Sequence, residues 1–228
     1  MTTRLRWAEQ HLQYRFRSPE LLERALTHRS AARQNNERLE FLGDSFLNFA
    51  VARQLYERHP LAPEGDLSRL RSALVKGATL AELGRDLELS PQLILGPGEH
   101  SSGGAHRDST LGNAVEAVIG AVLLDGGFEA ADACVTRLFS DRLEQLPDAD
   151  NLKDAKTKLQ EYLQGRGLSL PVYTVRSVSG EPHRQSFVVV CEVAETAACV
   201  EGHGQSRREA EQNAADRMLS IHDRDEKS

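Results

Sequence analysis

The stretch NNERLEFLGDSFLNFA, residues 35–50, carries three carboxylates at helical spacing. On a helix turning about 100° per residue, Glu37, Glu40 and Asp44 fall within an arc of about 60°. Leu39, Leu42, Phe46, Phe49 and Ala50 take the other side. Like charges three or four apart destabilise a helix. A divalent cation removes that repulsion, and hard oxygen ligands suit Mg²⁺ or Mn²⁺ rather than zinc. Taken alone, the stretch equally fits a solvated acidic face. A second stretch, LGNAVEAVIG from Leu111 to Gly120, shifts the balance. Glu116 sits in an apolar helical pattern, and burying a lone carboxylate is expensive unless it is paired or holds a metal. Asn113 and Glu116, three apart, share a face. Gly120 on that face allows another helix to approach closely. Phe41 falls beside the acids, away from the apolar stripe; it suits a contact with another protein or packing under a neighbouring loop.

These acids need elements to hold them. Up to about Leu146, apolar residues recur at three and four and β-branched runs are few. The pattern predicts helices over 3–12, 19–26, 35–58, 66–86, 109–125 and 128–146. LGPGEHSSGGAHRD, Leu95 to Asp108, reads as a mobile loop, and LPDADNL, Leu146 to Leu152, as a linker. The texture then changes. KDAKTKLQEYLQGRG is a helix ended by Gly165 or Gly167. PVYTVRSV, QSFVVVCEV and TAACVEG alternate as strands, with a turn at SGEPH, and SRREAEQNAADRMLSIH is helical again. This order predicts a small domain with both helices on one face of an antiparallel sheet. The expected fold class is α+β: an all-α domain over 1–146, a linker over 147–153 and an α-β-β-β-α domain over 154–223.

The chain has 228 residues and a net charge of −6. Up to Asp150 there are 17 Lys and Arg against 22 Asp and Glu; beyond it, 11 against 12. Neither part is strongly basic, so a nucleic-acid partner would have to be gripped by local placement of charge. No apolar run is long enough to span a membrane and the first residues hold no signal-peptide core; the expectation is a cytoplasmic protein with no membrane partner. Cys134, Cys191 and Cys199 are odd in number and lack CxxC spacing, which argues against a disulfide framework and a zinc site.

Local placement does occur near the C-terminal end. Ser206 and Glu209 form an S-x-x-E capping box. Arg207 and Arg208 follow the cap in the first turn, where positive charge opposes the helix dipole. Two cations there suggest a bound anion, since helix N-termini favour phosphate; a solvated charge pair is the plainer reading.

ERLEFLGDS, Glu37 to Ser45, resembles the signature motif of the bacterial ribonuclease III family. ALTHRS before it, PEGDLSRLRSALV after it and VEAVIGAVLLDGG later follow that family in order and spacing. EGHGQSRREAEQNAA, Glu201 to Ala215, resembles the end of a double-stranded RNA-binding domain. The resemblance runs from Leu5 to His222. It implies a homodimeric, all-helical nuclease domain that cuts double-stranded RNA to 5′-phosphate and 3′-hydroxyl ends, acting on ribosomal, messenger and transfer RNA precursors. It implies two Mg²⁺ per active site, with Mn²⁺ able to substitute. Two-metal sites place the ions about 3.5–4 Å apart, one for the attacking water and one for the leaving oxygen.

By position, Glu40, Asp44 and Glu116 match the family's metal-site acids, and Asp44 and Glu116 its catalytic positions. Glu37 and Glu64 match further acids near the cleavage cleft. Phe41 matches a residue that inserts into the partner subunit. Asn113 departs from the usual Asp. An amide oxygen can still coordinate Mg²⁺ but brings no charge; the alternative function is therefore an RNA-binding protein with a weakened or inactive nuclease site. In the second domain the resemblance assigns Thr157, Gln160 and Glu161 to one minor-groove face and Pro182 and His183 to another, with Ser206, Arg207 and Arg208 on phosphate. Such domains span about 16 base pairs. His28, in ALTHRS, reads as structural.

Overall fold

A computed structural model describes residues 2–146, 153–181, 184–196 and 198–225. The chain divides into two compact units, Met1–Leu152 and Lys153–Ser228.

The first unit is helical. Its elements are α1 (Thr3–Trp7), continued by a π-helical turn (Ala8–Leu12), α2 (Pro19–Ala25), α3 (Glu37–Arg58), α4 (Glu64–Val75), α5 (Gly77–Asp86), α6 (Pro97–Ser101), α7 (Asp108–Gly126) and α8 (Phe128–Glu144). α7 is apolar around most of its girth, as a central helix must be: Leu111, Ala114, Val115, Val118, Ile119 and Val122 are all buried. It packs against α2, α3, α5 and α8. Leu47 and Leu55 of α3, Leu80 of α5 and Phe139 of α8 complete the core.

Two expectations are corrected. The periodic run 66–86 is two helices, because Lys76 is extended (φ −64°, ψ 147°). The Thr79 hydroxyl donates to the Ala73 carbonyl at 2.9 Å, satisfying an acceptor that the break orphans. Leu70 and Leu74 before the break and Leu80 and Leu83 after it all reach the core, so the apolar period passes through without a mark. The segment Leu95 to Asp108 is not bare loop. It holds α6 and a 3₁₀ turn (Gly104–His106), clasped by Arg107 Nη1, which donates to Glu99 Oε1 at 2.6 Å.

In the second unit α9 (Ala155–Gly165) precedes an antiparallel sheet of β1 (Val172–Ser179), β2 (Ser186–Val193) and β3 (Ala198–Gly204), ordered β1-β2-β3, and α10 (Arg207–Asp225) follows it. Leu159 and Leu163 of α9, Cys191 and Val193 of β2, and Ala214, Ala215 and Met218 of α10 share one core. The α+β class with an α-β-β-β-α second unit is as the sequence predicts. The third strand starts two residues later than TAACVEG suggests, because Ala194–Thr196 forms a 3₁₀ turn.

Candidate active site and RNA-binding surface

The acid site is built on a crossing of α3 and α7 at two glycines. A Cβ on Gly43 would run into the backbone carbonyl of Glu116; one on Gly120 would run into that of Leu39. Glycine is required on both sides. Glu40 and Asp44 flank Gly43, and Glu116 lies one turn before Gly120, so the two backbones in contact leave the three carboxylates within electrostatic reach of one another. Gly120 was legible as a close-approach residue. Gly43 was not, although it lies inside the motif.

The electrostatics record the crowding. Burial, then the Asp44 and Glu40 carboxylates, push the Glu116 carboxyl up to about 7. Among the described residues no hydrogen-bond donor or cation reaches it. Glu40 is also raised, by burial and then by Glu37; a hydrogen bond from Asn113 and the charge of Arg29 oppose this. Asp44 is exposed, and its Oδ1 accepts from Asn48 Nδ2 at 2.9 Å. Each of these two carboxylates thus leans on an amide. Among the described residues no three His, Cys, Asp or Glu side chains converge as ligands of one ion. The donor set still fits a hard divalent cation: carboxylate and amide oxygens only, with mutual repulsion that such a charge would relieve.

Asn113 and Glu40 line a polar cavity of about 240 Å³ with Glu37, Thr110, Arg29 and His28. Glu37 is held at its mouth. Its backbone N–H donates to Asn35 Oδ1 at 3.0 Å, and Arg29 lies 3.9 Å from its carboxylate. Asn35, missed in the sequence, thus turns the chain into α3 by a bond two residues long, while the N-cap residue Asn36 makes no side-chain cap bond; an Asn just ahead of a helix was the available signal. His28 is held at two points: its backbone N–H donates to Ile94 O at 2.9 Å and its Nδ1 is 2.8 Å from Ser30 Oγ.

Glu64 stands apart. It opens α4, accepts from Ser68 Oγ at 2.8 Å and lines a different groove of about 440 Å³ with Phe49, Tyr56 and Arg71. Among the described residues no hydrogen bond or ion pair joins it to the acid cluster. Phe41 is 76% exposed, so it is not packed under a loop; it borders a cavity of about 560 Å³ with Leu42 and Leu124, the latter also exposed.

In the second unit the capping box forms with a shift. Ser206 Oγ accepts from the Glu209 N–H at 3.2 Å, but Glu209 Oε2 reaches back to the N–H of Gln205, at 2.7 Å, rather than that of Ser206. Arg208 is exposed. Arg207 is not a lone cation: its Nε donates to Glu211 Oε1 at 2.8 Å. Asp154, also missed, caps α9 by accepting from the Thr157 N–H at 2.9 Å. Gln160 and Glu161 are exposed, and Glu161 pairs with Lys153 at 2.6 Å. Pro182 and His183 lie outside the described residues.

A helical unit presenting clustered acids, followed by an α-β-β-β-α unit with arginines at a helix start, defines a class of protein: a nuclease-like domain joined to a nucleic-acid-binding domain. Comparison with known proteins makes it particular. A family model described as Ribonuclease-III-like matches residues 18–143, and the Double-stranded RNA binding motif matches residues 155–222. Ribonuclease 3 of Nitrosococcus oceani is 58% identical over 212 residues, covering 92% of this chain and 91% of that protein. Ribonuclease 3 of Vibrio cholerae is 55% identical, over 91% and 92%. The crystallised nuclease domain of Campylobacter jejuni ribonuclease III is 39% identical with a TM-score of 0.61, covering 64% of this chain and 100% of that one. A second structure of the Campylobacter jejuni nuclease domain, described for flexibility in a region involved in dimer formation, is 40% identical with a TM-score of 0.60, over 61% and 99%. The chain belongs to the ribonuclease III family and is a double-stranded-RNA-specific endoribonuclease. The family depends on divalent metal. Among the described residues no helix is long and apolar enough to cross a membrane.

Proposed function

We propose that Glu40, Asp44, Glu116 and Asn113 hold two Mg²⁺ ions, replaceable by Mn²⁺, at the α3–α7 crossing, and that Asp44 and Glu116 are the catalytic pair. When bound, the metal pair supplies the activation of water and the stabilisation of the leaving 3′ oxygen of an RNA phosphodiester. The protein's own part is placement. The Gly43–Gly120 contact fixes the carboxylates on rigid helices, and the apolar body of α7 excludes water from one side of Glu116. Arg29 and Glu37 order the mouth of the neighbouring cavity. The carrying observation is the crossing itself, since it has no packing reason to gather three like charges.

Asn113 tunes the site. It brings one negative charge fewer than an Asp, while its amide steadies Glu40 as a carboxylate. The exposed Phe41 and the cavity beside Leu124 suit a twofold contact with a second copy of the chain, giving a homodimer with Glu64 contributing from outside the local cluster. The enzyme would work in the bacterial cytoplasm on ribosomal and messenger RNA precursors. The first unit would act as the nuclease domain, 147–153 as a linker and 154–223 as the RNA-binding domain, with Thr157, Gln160, Glu161, Pro182 and His183 on minor grooves and Ser206, Arg207 and Arg208 on phosphate.

Glu116→Gln tests the assignment. It preserves shape and removes one charge, so cleavage of long duplex RNA in Mg²⁺ should fall far more than tenfold while binding in EDTA stays within about twofold. A rate within about tenfold of the parent, a loss of only about 1.4 kcal/mol in barrier terms, would remove Glu116 from the catalytic pair.

A further inference from the structure

Glu211 lies one turn into α10, beside the arginines at the helix start, and its charge has the wrong sign for a polyanion. It is nevertheless buried, its side chain 12% exposed, with both oxygens engaged. Oε2 accepts from Lys156 Nζ of α9 at 2.6 Å, and Oε1 from Arg207 Nε at 2.8 Å. The Lys156 ammonium also sits 4.5 Å from the centre of the Tyr173 ring on β1. The Lys156 N–H donates to Gln212 Oε1 at 3.2 Å, a second tie between α9 and α10. Burial raises the Glu211 carboxyl, but hydrogen bonds from Lys156 and Arg207 outweigh burial and hold it below the usual carboxylate range, so it is charged at neutral pH.

Among the described residues Arg207 is held by Nε alone, and its side chain is 64% exposed. Neither Nη group has a partner among the described residues. A guanidinium fork suits a phosphate, and an arginine already held has less rotamer freedom to lose on binding.

We propose that Glu211 is a positioning residue for duplex RNA: it grips Arg207 by Nε so that the two Nη groups face a phosphate, and through Lys156 it sets that arginine against the α9 face. This rests on the reading of Arg207 as a phosphate contact. It differs in sign from a simple charge argument. By charge alone, neutralising Glu211 strengthens binding to RNA; by positioning, it weakens it.

The test is a double-mutant cycle on the full-length chain, with Glu211→Gln, Arg207→Ala and the pair together. Binding to a duplex longer than about 16 base pairs is measured in EDTA across a salt series, with circular dichroism checking the fold of each variant. Glu211→Gln should weaken binding on the order of threefold to tenfold, the span of one charge-assisted contact. The double variant should bind no more weakly than Arg207→Ala. Arg207→Lys, which keeps the charge but has no Nε to be held, should also weaken binding, and Glu211→Gln should add nothing to it. Unchanged or tighter binding by Glu211→Gln while Arg207→Ala binds weakly would overturn the positioning role alone. So would additive losses in the double variant, the result expected if Glu211 served only the fold. If Arg207→Ala binds as the parent does, the phosphate reading itself falls, and the positioning role with it.

Discussion

Glu116 in the first unit is pushed up to about 7 by burial and by Asp44 and Glu40. Glu211 in the second unit, also buried, is held low by Lys156 and Arg207. One region gathers like charges on a helix crossing and offers them little from the chain itself. The other, beside the arginines proposed to meet phosphate, pairs an acid with two bases. The contrast separates two uses of a partly buried carboxylate. Where the chain leaves charge uncompensated, compensation is expected from a cation in solution. Where it compensates fully, the carboxylate is there to fix geometry.

The comparison breaks most severely at the glycine crossing. Gly43→Ala puts a methyl group into the Glu116 carbonyl and forces α3 from α7. Overpacking of this kind costs about 1–3 kcal/mol or more, and cleavage should be lost even where the chain still folds. Gly202→Ala would meet the backbone of α10 instead and should disrupt RNA binding while sparing the first unit. Thermal unfolding followed by Trp7, the chain's single tryptophan and a first-unit core residue, separates the two: equal effects of both variants on that signal would mean the units are not independent.

Removing everything after Asn151 should weaken RNA binding strongly yet leave a dimeric nuclease that cuts slowly at low salt. Sedimentation checks it, and a monomeric truncated chain would place the dimer contact elsewhere than around Phe41.

A smaller change restores charge to the first site. Asn113→Asp should lower the Mg²⁺ concentration needed for half-maximal cleavage and raise the saturated rate. The variant loses the amide that steadies Glu40, so its metal-free form should be less stable. Should the Asp form match or trail the parent throughout a Mg²⁺ titration, the charge deficit is not what limits the site.

The smallest effect is on stability against pH. Burial and the neighbouring acids push the folded Glu116 carboxyl up to about 7 from the ordinary 4.5 expected of the unfolded chain. Between those values the folded state holds a proton that the unfolded state has lost, so stability falls as pH rises through the window. Glu211 and Asp154 are lowered; they stabilise the second unit above the usual carboxylate range, and that contribution is lost as pH falls. In EDTA the Trp7 transition should therefore move to lower temperature from pH 5 to pH 8. Mg²⁺ or Glu116→Gln should flatten the trend. A parent profile as flat as that of Glu116→Gln would contradict the crowding of the acids.

Much of the fold was legible. The apolar period placed α3, α7 and α8 within a few residues, and alternation placed the strands, because burial on one face imposes those periods directly. The break at Lys76 was not legible, since α4 and α5 present apolar residues at a spacing one helix would also give. Nor was the order within Leu95 to Asp108, where Gly and Ser signal irregular backbone and the Arg107–Glu99 clasp depends on contacts eight residues apart.

For the sites, the sequence by itself determined which groups could do chemistry: Glu40, Asp44 and Glu116 as acids on helix faces, Gly120 as a close-approach residue, Arg207 and Arg208 behind a capping serine. Residue type and helical spacing suffice for that, because they are local. Only the tertiary structure decided that Gly43 meets the Glu116 backbone, that Asn113 serves Glu40, that Glu64 lines another groove and that Arg207 is held by Glu211 and, through it, by Lys156. Those are relations between segments distant in sequence or turned by side-chain rotation. A partly buried carboxylate takes its role from what surrounds it in space, which spacing along one helix does not encode.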